Sequence, residues 1–330
     1  MRLQQRNSRA RWWFRNISVA LSACCCYISW SNHIWIRFVP KEVGRDNVVM
    51  AAAYGYDLPT FQNFIEPLRE VYSDDIVLLV DVKSLRDVKY RHFAQQHRVK
   101  FRRLEQSTRL GARGDRFMAY AKICLQYVWC LASDFRDVMF QSNPFVMLRG
   151  MNHTHTFDLL LFEEAHRVKL GSHVVPLCSP KIVTDCTCPY NSAWIETCWG
   201  KAFLDHIAEK TPICSGIIIG TKLGFQTLAD AMLSEMEKTK LRHGCTARDQ
   251  GHLNYLYHSD TLKARMFVQK QGEGIVNTVG YVPSNDIILD TDGKVRNRDG
   301  SLPAVIHQYD RLPQLRALFS RLHEEKRSYL

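Results

Sequence analysis

The sequence predicts an α/β domain with a mostly parallel central sheet flanked by helices, preceded by an N-terminal transmembrane anchor. Three observations carry this expectation. From residue 47 onward, short apolar runs alternate with longer stretches of helical spacing, the pattern of strands buried on both faces. An uncharged apolar segment, residues 17–36, follows five arginines. Hydrophobic residues make up 46% of the 330 and charged ones 23%, enough to build a sizeable core and unlike a disordered tract.

Each element can be justified in order. Residues 47–54 (NVVMAAAY) read as a buried strand. Asp57 stands at a cap position with Pro59 in the first turn, so a helix runs from there to about Tyr72. Residues 75–81 (DIVLLVD) form a second strand, a helix follows, and residues 99–104 form a third. Residues 116–126 show helical spacing. Residues 127–133 (YVWCLAS) read as a central strand that delivers the chain to Asp134-Phe135-Arg136-Asp137. Residues 157–162 (FDLLLF) form a strand ended by Glu163-Glu164, and residues 213–221 (ICSGIIIGT) a strand punctuated by glycine. Helices are expected over 223–240 and 249–257, a short strand over 303–307 and a closing helix over 312–329. The Gly-, Asn- and Asp-rich stretch 272–301 reads as turns and short strands.

The net charge of +11 first suggests nucleic acid, but its distribution excludes that partner. Residues 1–45 hold eight basic residues against Glu42 alone, so seven of the eleven charges lie in that arm. A basic arm before an apolar segment is a cytosolic flank. Twenty residues at 1.5 Å each span about 30 Å, the thickness of a bilayer core. The rival, a cleaved signal peptide, lacks a small-x-small cleavage pattern here. The expected division is a cytosolic tail (1–16), a signal-anchor (17–36), a short stem (37–46) and a luminal domain (47–330), with ordered structure beginning near Asn47.

Eleven cysteines divide into three inside the apolar segment and eight after it. An oxidising lumen makes disulfides the expectation. Cys188 and Cys198, which bracket residues 189–197, are the first candidates for a pair. The spacing of Cys186 and Cys188 is not that of a zinc knuckle. Asn152-His153-Thr154 is a glycosylation sequon; Asn16-Ile17-Ser18, at the membrane edge, should be silent.

The chemistry points to the acidic turn. Ligands of open α/β sheets bind beyond the carboxyl ends of strands, and Asp134 and Asp137 stand there. Two such carboxylates make a hard-oxygen pocket for Mg²⁺ or Mn²⁺. The plain alternative is a solvated turn with Arg136 neutralising one aspartate. His307 ends a late strand; an imidazole completes a Mn²⁺ site better than a Mg²⁺ site, although a lone histidine there is more often structural.

Four segments, in order, carry a family resemblance. Arg116-Phe117 precedes Ala132-Ser133-Asp134-Phe135-Arg136-Asp137, with Pro144 seven residues after Asp137. Cys214-Ser215-Gly216-Ile217 forms a Ser-Gly strand, Asp249-Gln250 opens a helix with Leu253-Asn254, and Val305-Ile306-His307-Gln308-Tyr309-Asp310-Arg311 closes the set. Cys188-Pro189-Tyr190-Asn191 through Trp194 and Cys198-Trp199-Gly200 are similar to the same group. Together these resemble GT-A-fold nucleotide-diphospho-sugar transferases, over roughly residues 48–311. One departure stands out: Phe135 occupies the first acidic position of the usual Asp-x-Asp, and Asp134 lies one residue earlier.

The resemblance implies a Golgi-type, single-pass type II membrane glycosyltransferase using Mn²⁺ or Mg²⁺ and a UDP- or GDP-linked sugar donor. A glycan or glycoprotein would be the acceptor. The implied metal ligands are Asp137 and His307, with Asp134 direct or through water. Ser215, Gly216, Gln250 and Arg116 would face the donor, Arg116 either reaching the diphosphate or pairing with Asp134 or Asp137. Asp249 would lie near the reacting sugar, against the alternative of an N-cap, and its helix leans the expectation towards retention of configuration. Glu163 would contact the acceptor hydroxyl, against the alternative of a surface carboxylate. Two other functions fit less well: an inactive sugar-binding protein on the same fold, and a two-carboxylate glycoside hydrolase.

Overall fold

The computed structural model describes residues 45–105, 110–151, 156–171, 177–178, 184–245 and 248–328. The expected tail, the span 17–36, nearly all of the stem and the Asn152 sequon lie outside the described residues. Among those described, no helix is long and apolar enough to cross a membrane.

From the start, β1 (Arg45–Ala53), α1 (Leu58–Val71), β2 (Asp75–Val80), α2 (Val82–Arg86), α3 (Val88–Gln96) and β3 (Val99–Arg103) follow the expected alternation. The single helix expected before β3 is two, because Asp87 accepts the Lys89 backbone N–H at 2.8 Å and caps a new start. Next come α4 (Gly111–Cys124), β4 (Tyr127–Ser133), β5 (Val138–Phe140), α5 (Pro144–Met151), β6 (Leu159–Glu163), and the short strands β7 (Val168–Lys169) and β8 (Cys186–Thr187). Two helices unforeseen in the sequence, α6 (Pro189–Trp199) and α7 (Lys201–His206), precede β9 (Ile213–Gly220), α8 (Lys222–Thr239) and α9 (Asp249–His258). The chain closes through β10 (Met266–Gln269), β11 (Val276–Thr278), β12 (Ile288–Leu289), β13 (Val295–Arg296), β14 (Val305–His307) and α10 (Pro313–Ser328).

Seven strands form the main sheet in the order β10-β6-β9-β4-β1-β2-β3. It is mainly parallel, as expected; β9 alone runs against both its neighbours, β4 and β6. Alternate residues of β1 feed two cores, since a strand points successive side chains to opposite faces. Val49 and Ala51 pack with Phe61, Phe64 and Leu68 of α1, while Val48 and Met50 pack with Phe117 and Tyr120 of α4 and Met232 of α8.

A second, three-stranded sheet, β11-β14-β5, stands beyond the carboxyl end of β4. Its strands are short and buried, and Ile306 packs with Tyr309, Leu312 and Leu315 under the start of α10. The chain leaves β4 at Ser133, turns through the acidic segment and enters β5. The second sheet is thereby tied to the main one at that turn.

Three disulfides join Cys124–Cys130, Cys178–Cys186 and Cys198–Cys245. The expected Cys188–Cys198 pair does not form. These two residues flank the two ends of α6, about 15 Å apart at 1.5 Å per residue, far beyond disulfide reach. Cys188 is instead a buried thiol whose sulfur accepts from Asn191 Nδ2 at 3.3 Å, and burial pushes its pKa up to about 12.

Candidate metal centre

Two β-ladders bring the acidic turn and the late histidine together. In the antiparallel ladder of β4 with β9, Ser133 pairs with Ile217, and the Asp134 backbone N–H donates to the Gly216 carbonyl at 2.6 Å. In the ladder of β5 with β14, Val138 pairs with His307, and the Gln308 N–H donates to the Asp137 carbonyl at 2.8 Å. The backbone pairings alone thus set Asp134 beside Gly216 and Asp137 beside His307.

The side chains converge accordingly. His307 Nε2 lies 3.6 Å from Asp134 Oδ2 and 3.8 Å from Asp137 Oδ1. One ligand atom from each of the three residues falls within 4.8 Å of the others, so the group could hold a metal ion. The side chain of His307 is 1% exposed, that of Asp137 13% and that of Asp134 37%. The site is therefore anchored on its buried side and open through Asp134.

Gly216 makes the space. A Cβ there would come within 2.5 Å of His307 Nε2 and 2.6 Å of Asp134 Oδ2. On its other nitrogen, Nδ1, His307 faces the Cys214 sulfur at 3.3 Å. A ring nitrogen held in this way orients the other one, and Nε2 is buried without a hydrogen-bond partner. A ring nitrogen without a hydrogen-bond partner, facing two carboxylates, is an arrangement a divalent cation could complete.

Phe135, at the usual acidic position, points the other way. It is 2% exposed and meets the rings of Phe61 and Phe64 at centroid distances of 4.9 and 4.7 Å. Burying a phenylalanine stabilises by about 2–3 kcal/mol. The residue serves the core of the main sheet, and the carboxylate that faces His307 is that of Asp134. Arg136 neutralises neither site aspartate; it pairs with Asp310 at 3.0 Å.

Arg116 on α4 joins the centre to α9. Its Nη1 donates to Asp134 Oδ1 at 3.0 Å and its Nη2 to Asp249 Oδ2 at 2.6 Å. The ion-pair alternative is what forms, with Asp134 rather than Asp137. Asp249 is the first residue of α9 rather than its cap, which is Arg248. A carboxylate in a first turn still gains from the helix dipole.

The charge states follow from these contacts. Burial alone would raise the Asp134 pKa, but His307 and Arg116 outweigh it and hold the carboxyl well below the usual range. Asp137 lacks an arginine partner of that kind; burial raises its pKa against the opposing pull of His307. Burial would lower the His307 pKa, yet Cys214, Asp134 and Asp137 raise it well above the ordinary imidazole value.

A cavity of about 490 Å³ surrounds the cluster at the carboxyl ends of β1 and β4. Besides the three candidate ligands it is lined by Ser215, Gly216, Asp249, Gln250 and Arg116, all expected from the sequence. Glu163 is not among the lining residues. It lies half-buried at the end of β6, and its carboxyl is raised by burial against the opposing charges of Lys270, His166 and Lys169.

Its neighbour Glu164 turns inward instead. The Glu164 carboxylate, 2% exposed, accepts from Gln250 Nε2 at 2.9 Å and from Gln308 Nε2 at 3.4 Å. Gln308 adopts a left-handed backbone (φ 62°) directly after His307, a conformation that costs a non-glycine residue roughly 1 kcal/mol or more. Glu163 and Glu164 are adjacent in the sequence, and strand parity alone cannot say which carboxylate turns inward to support Gln250 and Gln308. Arg113, on which no sequence pattern bears, lines the cavity with Trp194 and Arg311 of the resembling segments.

No model of a known protein family and no curated protein matches this chain.

Proposed function

We propose that the domain transfers a sugar from a UDP- or GDP-linked donor to a hydroxyl group of a glycan or glycoprotein, on a GT-A-like fold. The observation that carries this reading is the convergence of Asp134, Asp137 and His307 in a cavity that also holds Arg113, Arg116 and Arg311. A diphosphate would be repelled by two bare carboxylates, and these residues would hold Mn²⁺ or Mg²⁺ in between. When bound, such an ion neutralises the diphosphate and stabilises the departing nucleoside diphosphate.

The chain's own groups do the rest. Arg113 and Arg311 add fixed positive charge for phosphate oxygens. Arg116 keeps Asp134 ionised and holds Asp249 at the cavity wall. Gln250, fixed by Glu164, offers an amide towards the donor sugar. Tyr54, just beyond β1, also lines the cavity. The three disulfides favour an oxidising compartment. With the basic arm and apolar segment of the sequence, they support a type II Golgi membrane protein with a luminal domain.

An inactive, sugar-binding protein is the reading that Phe135 at the usual acidic position would favour; against it, Asp134 brings a carboxylate to 3.6 Å from His307. The full chain in detergent, given a panel of UDP- and GDP-sugars, should release nucleoside diphosphate from one donor only with Mn²⁺ present. Binding without release, even with glycan acceptors present, would favour the inactive alternative. Absence of any metal-dependent nucleotide-sugar binding would overturn both.

A further inference from the structure

Helix α6 buries polar side chains together with apolar ones. Its inward face carries Asn191 and Ser192, 2% and 7% exposed, beside Ile195 and Cys198. Its outward face carries aromatic residues: Tyr190 is 60% exposed, and Trp194, one turn on, lines the metal cavity. Residues at i and i+4 share a helix face, and here their ring centroids are 6.0 Å apart with planes tilted by 35°. A soluble helix normally turns such rings inward. Tyr190 is exposed and Trp194 half-buried, which leaves an aromatic surface beside a strongly polar site.

The helix is held rigidly. Ser192 Oγ donates to the Leu170 carbonyl at 2.7 Å, the Cys188 N–H donates to the Lys169 carbonyl at 2.8 Å, and the Cys198–Cys245 disulfide ties the far end to the segment leading into α9. Gly251 lets α9 approach closely, since a Cβ there would come within 3.1 Å of the Trp194 Cβ. Trp194 is therefore fixed against the helix whose first residues, Asp249 and Gln250, line the cavity. The Arg248 guanidinium lies over the Trp194 ring, 5.3 Å from its centroid, a cation–π contact that covers one face of the indole and places a hydrogen-bond donor beside it.

We propose that Trp194, extended by Tyr190, is the acceptor platform. A pyranose ring of the acceptor glycan stacks its C–H face on the indole, with its hydroxyl groups directed at the metal cavity. Aromatic faces carry partial negative charge and large apolar area, matching the weakly positive C–H face of a sugar. A pre-fixed ring binds without ordering cost. The proposal rests on the sugar-transfer reading for the direction of the hydroxyl, but not for sugar binding itself.

The full chain in detergent, loaded with Mn²⁺, is applied to a printed array of glycans. The wild type should bind a restricted set. Trp194→Ala should lower that binding at least tenfold, and Trp194→Phe and Tyr190→Ala severalfold, while Mn²⁺ affinity measured by calorimetry shifts less than twofold. Tyr190→Ala and Trp194→Phe keep the question open to test should Trp194→Ala misfold. Unchanged glycan binding in these variants, or no glycan binding by the wild type, would overturn the platform. Glycan binding through Trp194 without turnover of any nucleotide sugar would leave the platform standing and remove the transfer reading. Turnover with an acceptor KM indifferent to Trp194 would do the reverse.

Discussion

Gly216 and His307 are in contact across two strands that belong to different sheets, and the missing Cβ of the glycine is what lets the imidazole reach the two aspartates. Gly216→Ala would place a methyl group within 2.5 Å of Nε2. The ring and Asp134 must then move apart. The expected outcome is a loss of about 1–3 kcal/mol of stability, the usual cost of overpacking, with Mn²⁺ affinity at least tenfold weaker. Thermal unfolding and calorimetric titration check both. An alanine variant binding Mn²⁺ normally would mean that His307 is not a ligand.

Asp137→Asn keeps shape and removes charge. It should cut metal-dependent donor turnover at least a hundredfold, on the order of the several kcal/mol a catalytic ion contributes, and leave the circular dichroism spectrum unchanged. His307→Ala should weaken Mn²⁺ binding and recover part of its activity at high Mn²⁺. Asp134→Asn tests the displaced acid: a large loss marks it as a direct ligand, and a loss of only a few-fold assigns it a role through water.

Proton competition sets the pH dependence. In the metal-free protein the His307 pKa lies well above that of the unfolded chain, despite burial, because Cys214, Asp134 and Asp137 favour the charged ring. That contribution to stability is fully present below about pH 6.5, the unfolded imidazole value, and is lost as pH rises through the raised folded value. A cation at Nε2 needs the proton gone, and needs it gone from Asp137 too, whose pKa is raised by burial. The thermal stabilisation given by Mn²⁺ should therefore grow from pH 5.5 to pH 8. Calorimetry in two buffers of different ionisation enthalpy should detect proton release on binding. Stabilisation that is flat across this range would contradict the ligand assignment.

The Cys198–Cys245 disulfide spans a sequence separation of 47 and pins α6 to the approach of α9. Replacing both cysteines by alanine should cost up to about 4 kcal/mol by loop-entropy reasoning. Peptide mapping without reduction should recover the three disulfides found here and free thiols at Cys188 and Cys214. A Cys188–Cys198 peptide would refute the helical register of α6.

The sequence by itself determined the alternating α/β order, the central strand ending at the acidic turn, the Asp57 helix cap and the placing of Asp134, Asp137 and His307 at strand ends. These are local patterns: runs of apolar residues, cap chemistry, and acids placed where a buried strand must end. It could not determine what depends on pairing between distant segments. Only the tertiary structure decided that β9 runs antiparallel, which sets the Gly216 carbonyl against the Asp134 N–H. It also decided that Glu164 rather than Glu163 turns inward, because one residue of strand parity exchanges the faces and nothing local fixes that parity at a strand end. Helix α6 went unread for a related reason. Its buried face mixes Asn191 and Ser192 with Ile195 and Cys198 while Tyr190 is exposed, so the amphipathic period that marks a helix is blurred. The partner of Cys198 was unreadable with it, since only the length of that helix removes Cys188 from reach.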